Sequence, residues 1–149
     1  LITAIASRTV SRQYLAVGHR PWSGAALRTV DAAIGRDPRN RLRMAVVDLN
    51  QYAGKTARTD FALQRNFASA CLVHCSLHTG RTHQIRVHMA FIGHPLVGDT
   101  VYGGSPMHGM ARQALHATRL AFAHPVSGRA LAFDAKPPPD FLDLLAALE

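Results

Sequence analysis

The alternation of apolar and polar positions along the chain predicts a fold made mainly of short strands. Apolar or β-branched residues recur at short intervals in six segments, namely residues 12–17, 27–34, 55–63, 69–77, 115–122 and 130–134. Turn-forming residues near positions 65–67 predict that the third and fourth of these strands form an antiparallel pair. Runs of strands with few helices between them indicate an α+β fold with a mainly antiparallel mixed sheet and flanking helices.

Two segments carry helical rather than strand periodicity. Apolar residues recur at helical spacing in residues 82–92, and Gly93 with Pro95 just beyond gives a stop signal. Residues 139–148 have the pattern of an amphipathic closing helix that begins with a proline. Residues 1–8 resemble the end of a further helix, and residues 98–109 are punctuated by glycine and proline like a loop.

A dense group of polar side chains marks the predicted start of the helix at residues 82–92. Arg81 and Arg86 are fixed cations whose forked donors suit a carboxylate or a phosphate. Gly80 is suited to a tight turn, and Thr82 is the expected N-cap residue. Placing so many polar groups beside an apolar helix is costly, so this run predicts a functional site.

Charge points to a polyanionic partner. The 149 residues are 48% hydrophobic, which suits one domain with a real core, and no apolar run is long enough to span a membrane. The net charge of +8 makes nucleic acid the leading candidate partner. The alternative is a codon bias toward arginine, which would raise the net charge without any such partner. A loop predicted at residues 35–43 is the best candidate for phosphate contact, with a solvated charged turn as the alternative; its arginines are Arg36, Arg39, Arg41 and Arg43.

The cysteine pattern predicts free thiols and a reducing compartment. Cys71 and Cys75 lie four residues apart on a predicted strand, a separation of about 13 Å. A disulfide needs Cα atoms within about 7 Å. A metal site that includes His74 is disfavoured, because strand geometry directs Cys71 and His74 to opposite faces.

Five sequence blocks in order resemble the C-terminal part of the RluA-type pseudouridine synthases, and most closely their large-ribosomal-subunit synthase D subgroup. The blocks are Arg12-x-Tyr14-x-Ala16, Ile34-Gly35-Arg36-Asp37-Pro38, the run from Gly80 to His88, the run from His94 to Gly103, and Leu115-His116-Ala117 with His124-Pro125. The resemblance covers nearly the whole chain, so residues 1–149 are expected to form part of one catalytic domain. It implies isomerisation of uridine in RNA, chiefly large-subunit ribosomal RNA, by a cytoplasmic enzyme that needs no metal or redox cofactor. The oligomeric state stays open, with a monomer favoured.

The same resemblance implies roles for individual residues. Tyr14 matches the active-site tyrosine that packs on the target base, and Arg86 matches the arginine that pairs with the catalytic aspartate. Leu120 falls where the family places an apolar pocket residue. Arg81, His83 and Gln84 are expected to position the turn or to contact RNA, since no proton transfer can be assigned to them.

The nucleophilic aspartate of the family belongs to a His-Arg-Leu-Asp motif, which does not occur in this sequence. The aspartates present all lie outside such a context: Asp31, Asp37, Asp48, Asp60, Asp99, Asp134, Asp140 and Asp143. Because the sequence also starts at Leu1 without methionine, we expect a fragment that lacks its upstream half and is inactive alone. The alternative is a non-catalytic RNA-binding module of the same fold.

Overall fold

The computed structural model describes residues 11–123 and 126–149 and contains two antiparallel sheets. The strands are β1 (Ser11–His19), β2 (Leu27–Asp31), β3 (Ile34–Asp37), β4 (Asn40–Val46), β5 (Arg58–Asn66), β6 (Ala70–Leu77), β7 (Leu115–Ala123) and β8 (Ala130–Asp134). The helices are α1 (Gln84–Phe91), α2 (Pro139–Leu148) and a 3₁₀ turn at Thr100–Tyr102. The large sheet has the order β2-β5-β6-β1-β7-β8, and β3 pairs with β4 separately.

The central strand β1 explains why one helix lies on each face of the large sheet. Ala16 packs with Met89 of α1, whereas its neighbour Val17 packs with Phe141 of α2. Successive strand residues point to opposite faces, so the apolar run in β1 feeds two separate clusters. The predicted α+β class with its antiparallel sheet is confirmed, and the predicted bounds of β8 and α2 match those observed.

The segment 27–34, predicted as one strand, is divided between the two sheets. Val30 belongs to the cluster under α1, while Ile34 belongs to a third cluster with Val87. Between Val30 and Ile34 the pairing of the chain with β5 ends, and Ile34 instead exchanges backbone hydrogen bonds with Lys55. The prediction of a single strand is therefore wrong, because alternation alone does not show where the chain changes its pairing partner.

The basic segment 35–43, predicted as a loop, is largely the hairpin β3–β4. Asp37 orders its turn: Oδ1 accepts a hydrogen bond from the Arg39 backbone N–H at 2.9 Å, and Oδ2 accepts one from Arg43 Nε at 2.8 Å. These two donors hold the pKa of Asp37 below its ordinary value. The hairpin is stabilised by polar contacts at its turn, which hydrophobic periodicity does not reveal.

Some predictions concern residues outside the described part of the chain. They are the helix at residues 1–8 and positions 124–125 of the turn that joins β7 to β8. Within residues 11–123 and 126–149, no helix has both the length and the apolar character needed to cross a lipid bilayer.

The docking of α2 gives a direct stability test. Phe141 is fully buried, so Phe141→Ala should lower the free energy of unfolding by about 3–5 kcal/mol through lost burial and a cavity. Leu142→Ala is the matched control, since the adjacent Leu142 is 50% exposed and should change stability by no more than about 0.5 kcal/mol. Urea unfolding checks both values, and equal effects would contradict the described packing of α2.

Candidate functional site

The loop before α1 is held by the side chain of Gln84. Its Oε1 accepts hydrogen bonds from Thr79 Oγ1 and the Arg81 N–H, and its Nε2 donates to the Arg58 carbonyl and to Thr59 Oγ1. These four bonds use the full capacity of the amide, which is 3% exposed. Gln84 therefore positions the turn, and it has no free group with which to contact RNA as its other predicted role required.

The cap of α1 also differs from the prediction. The N-cap is His83 rather than Thr82, with φ 54°, in the left-handed region, and no side chain caps the helix. Gly80 is predicted to suit a tight turn, but it lacks a positive φ; its distinctive feature is that a Cβ there would overlap the guanidinium of Arg12. Only glycine allows that close approach without displacing the arginine.

A buried chain of hydrogen bonds continues from Gln84 into the core. Thr59 Oγ1 accepts from Gln84 and lies 2.8 Å from His88 Nδ1, while His88 Nε2 lies 2.9 Å from the Ala32 carbonyl oxygen. The chain is satisfied when Thr59 donates to Nδ1 and a neutral His88 donates from Nε2. Burial lowers the pKa of His88, which favours that neutral form.

Arg86 makes the central ion pair of the site, with Asp99. Its Nε and Nη2 donate to the two carboxylate oxygens at 2.8 and 2.9 Å, and the side chains of Arg86 and Asp99 are 12% and 1% exposed. The bidentate geometry fixes the plane of the guanidinium. The hydrogen bonds to Asp99 raise the pKa of Arg86 above its already high ordinary value.

Tyr102 joins this ion pair to the basic hairpin. Its ring lies 5.0 Å from Arg86 Cζ, within the range of a cation–π contact. Its hydroxyl accepts from the Met44 backbone N–H at 3.0 Å and lies 2.8 Å from His83 Nδ1. Partial burial, followed by the charge of Arg86, lowers the pKa of His83, so a neutral His83 accepts a hydrogen bond from the Tyr102 hydroxyl.

Tyr14 and Leu120 lie on the face of the sheet that α1 covers. Leu120 is directly opposite Arg12 in the β1–β7 pairing, and Tyr14 follows Arg12 on the same face of β1. Tyr14 packs against the same cluster as Ile85, the residue before Arg86. Arg12 Nε is buried without a hydrogen-bond partner in the part of the chain that the structure describes. Tyr14, Leu120 and Arg86 are the residues to which the family resemblance assigns active-site roles. All three thus lie on the same side of the sheet.

The four arginines of the hairpin are not equivalent. Arg36, Arg39 and Arg41 have exposed side chains, and Arg36 makes a weak 3.4 Å bond to the Arg41 carbonyl. Arg43 instead pairs with Asp37 and donates to the Val101 carbonyl at 3.2 Å. Arg43 therefore fastens the hairpin to the 3₁₀ turn, whereas the other three are available to a ligand.

The cysteine-containing strand has the character of core. Cys71 and Cys75 are both free and fully buried, and burial raises the pKa of the Cys71 thiol to about 11. Burial also raises the pKa of Cys75. Among residues 11–123 and 126–149 no group of three or more metal-binding side chains comes together.

Asp99 and Tyr102 were not predicted as site residues from the sequence. Asp99 lies 13 residues after Arg86, beyond the end of α1 and a turn, and no periodicity links the two. The available signal is that both lie in the block from His94 to Gly103, which is one of the five that carry the family resemblance.

Solved structures define the class of domain. The human RNA pseudouridylate synthase domain-containing protein 1 superposes with a TM-score of 0.73 and 28% identity, over 90% of this chain and 58% of that one. Human domain-containing protein 4 has a TM-score of 0.70 at 23% identity, over 95% of this chain and 63% of that one, and supports the fold. The sheet and its two helices are those of a pseudouridylate synthase domain.

Sequence comparison then shows the family. Residues 1–91 match the family model described as RNA pseudouridylate synthase, and the chain belongs to this family. It is similar to ribosomal large subunit pseudouridine synthase D of Neisseria meningitidis, with 44% identity over 99% of the chain and 41% of the relative. The enzyme of that name from Nitrosomonas europaea is 47% identical over 99% of the chain and 44% of the relative. The predicted resemblance to the synthase D subgroup is confirmed, and the chain spans less than half the length of these relatives.

The buried histidine makes stability depend on pH. Because the pKa of His88 is lowered in the folded protein, the unfolded chain takes up its proton first. The His88 contribution is complete above about pH 6.5 and is lost as pH falls from there toward the folded pKa. We expect His88→Gln to flatten the decline in unfolding free energy between about pH 7 and 5, with the exposed His108→Asn as control. An unchanged decline in His88→Gln would contradict a neutral buried histidine.

Proposed function

We propose that the protein containing this chain isomerises uridine to pseudouridine in large-subunit ribosomal RNA. Family membership supports the reaction, and the names of the relatives from Neisseria and Nitrosomonas support the substrate. The observation that carries the proposal is a fixed guanidinium, Arg86, on the helix that packs against the same cluster as Tyr14. The family resemblance further implies a cytoplasmic protein that needs no metal or redox cofactor; the oligomeric state stays open, with a monomer favoured.

In this reaction the bond from ribose C1′ to uracil N1 breaks and a bond from C1′ to C5 forms, while C5 loses a proton and N1 gains one. The target base must leave its stack before it can turn. We propose that Tyr14 packs on the flipped base, that Leu120 lines its pocket, and that Arg86 keeps the nucleophilic carboxylate ionised. Arg81 and His83 are proposed to contact RNA beside this pocket.

Asp99 is unsuited to act as the nucleophile. It is 1% exposed, and both its oxygens accept hydrogen bonds from Arg86. We therefore propose that residues 1–149 are the C-terminal portion of a catalytic domain whose nucleophilic aspartate lies upstream. On this proposal the isolated chain is inactive.

One observation favours a second candidate, a non-catalytic RNA-binding module. Arg86 already has a carboxylate partner within this chain, so its retention does not require a catalytic aspartate. The upstream coding sequence distinguishes the two candidates: an in-frame His-Arg-Leu-Asp motif supports the enzyme, and its absence supports the binding module.

Replacement of Arg86 tests the catalytic proposal. Arg86→Ala would leave the buried Asp99 unpaired and cost about 3–5 kcal/mol of stability, so Arg86→Lys, which keeps the charge, is more informative. In the full-length protein we expect Arg86→Lys to slow pseudouridine formation about a hundredfold, the scale of losing one preorganised donor. Release of tritium from uracil C5 in single-turnover reactions measures the rate.

The matched control is Arg112→Lys. Arg112 makes the same bidentate pair with Asp140 at 2.8 and 2.9 Å, but on the surface, with both side chains about half exposed. Its replacement should leave the rate unchanged. Thermal unfolding of each variant separates lost catalysis from lost folding, and a near-normal rate in a folded Arg86→Lys variant would remove Arg86 from the active site.

The hairpin arginines are tested by the salt dependence of RNA binding. Replacement of Arg39 and Arg41 by glutamine should weaken binding and reduce the slope of log affinity against log salt by about 0.7 for each lost contact with single-stranded RNA. Arg43→Gln should change that slope less, because Arg43 is bonded to Asp37. Equal slopes in wild type and the Arg39/Arg41 variant would make the hairpin tip a solvated turn.

A further inference from the structure

A cleft of about 490 Å³ lies between the basic hairpin and the loop that precedes α1. Its lining includes the cationic residues Arg36, Lys55 and Arg81 and the apolar residues Ile34 and Met44. Neither Tyr14, Arg86 nor Leu120 lines it. The cleft is therefore separate from the proposed catalytic pocket, and its volume is in the range of small-ligand sites.

The three cations of the cleft lack acidic partners. No described carboxylate forms an ion pair with Arg36, Lys55 or Arg81, whereas other arginines do form such pairs, namely Arg43, Arg65, Arg86, Arg112 and Arg119. Arg81 is also oriented, because its Nε donates to the Thr56 carbonyl at 2.7 Å. Three positive residues that line one cleft without an acidic partner favour an anionic ligand.

The shape of the cleft favours a nucleotide over a bare phosphate. The half-buried Met44 suits contact with a base or sugar, while the cations suit the phosphates on either side; Ile34 is 2% exposed and only forms the floor behind Met44. One wall is fixed: a Cβ on Gly54 would lie 2.8 Å from the Ile34 carbonyl oxygen, so the segment between β4 and β5 packs directly against β3. The cleft is thus formed before any ligand binds.

The cleft shares a wall with the proposed catalytic pocket. Gly80, Arg81 and Thr82 line the cleft, and Gly80 is also in contact with the guanidinium of Arg12. Arg12 is paired with Leu120 across β1 and β7 and precedes Tyr14 on the same face. One short segment of backbone therefore separates the two sites.

We propose that this cleft binds a nucleotide of the substrate RNA next to the uridine that is isomerised, with Lys55 as a phosphate ligand. The proposal rests on the proposed function in taking RNA as the substrate. It adds a second subsite, which holds the strand while the target base is flipped out. It also gives Lys55 a role that its position in the sequence did not suggest.

Chemical footprinting tests the proposal in the full-length protein. The chain has no lysine besides Lys55 and Lys136, and Lys136 is exposed outside the cleft, so it is an internal control. We expect single-stranded substrate RNA to slow acetylation of Lys55 about tenfold, as for one charge-assisted contact, and to leave Lys136 unchanged. Mass spectrometry of the two peptides gives both rates. Equal acetylation of Lys55 with and without RNA would overturn the proposal.

Matched variants give a second readout. Lys55→Gln should raise KM for RNA about tenfold with kcat retained and lower the salt slope by about 0.7, whereas Lys136→Gln should resemble wild type. Lys55→Arg should restore binding, since it keeps the charge. If the wild-type protein makes no pseudouridine but RNA still slows acetylation of Lys55, the proposed enzymatic function is refuted and the cleft remains an RNA-binding site. If the wild-type protein forms pseudouridine and Lys55→Gln leaves the KM for RNA unchanged, the proposed cleft site is refuted while the proposed enzymatic function stands.

Discussion

The bidentate pair between Arg86 and Asp99 is the interaction on which the site depends. Asp99 is 1% exposed, and a carboxylate removed from water to that extent requires a cation with near-ideal geometry. The pair fixes the distance between α1 and the 3₁₀ turn, where Tyr102 then lies against the guanidinium. Through the bond from Met44 N–H to its hydroxyl, Tyr102 also holds β4. A single buried charge pair thus ties together the helix, the turn and the basic hairpin.

This arrangement changes what the presence of Arg86 implies. If pairing with a catalytic aspartate were the only use of Arg86, then the presence of Arg86 in this chain would by itself argue for a catalytic protein. Because Asp99 already satisfies two of its donors, Arg86 has a structural reason to be retained. The argument for an enzyme therefore depends on family membership and on the location of Arg86 on the helix that packs against the same cluster as Tyr14. On the proposed function, the ion pair serves catalysis by fixing the orientation of Arg86 in advance.

The sequence allowed prediction where one physical rule decides the structure. Alternation located the strands of the large sheet, and proline at the first turn with an amphipathic pattern gave α2 its observed bounds. Prediction failed where polar contacts determine the local structure. Examples are the hairpin ordered by Asp37 and the start of α1 held by Gln84. The pairing of Arg86 with Asp99 could not be predicted for a related reason. It joins residues across a turn, and neither residue has a periodic pattern that identifies the other.

The distribution of charge pairs bears on whether the basic composition reflects function or only a codon preference. A codon preference would place arginines without regard to their partners. Three exposed arginines, Arg65, Arg112 and Arg119, each lie beside a carboxylate, which neutralises them in place, whereas the exposed Arg20, Arg28, Arg58 and Arg129 have no ion pair among the described residues. The cations without acidic partners include a group confined to the hairpin and the cleft beside it, namely Arg36, Arg39, Arg41, Lys55 and Arg81. Holding like charges together without counter-ions costs folding free energy, so this grouping favours an anionic ligand that compensates it.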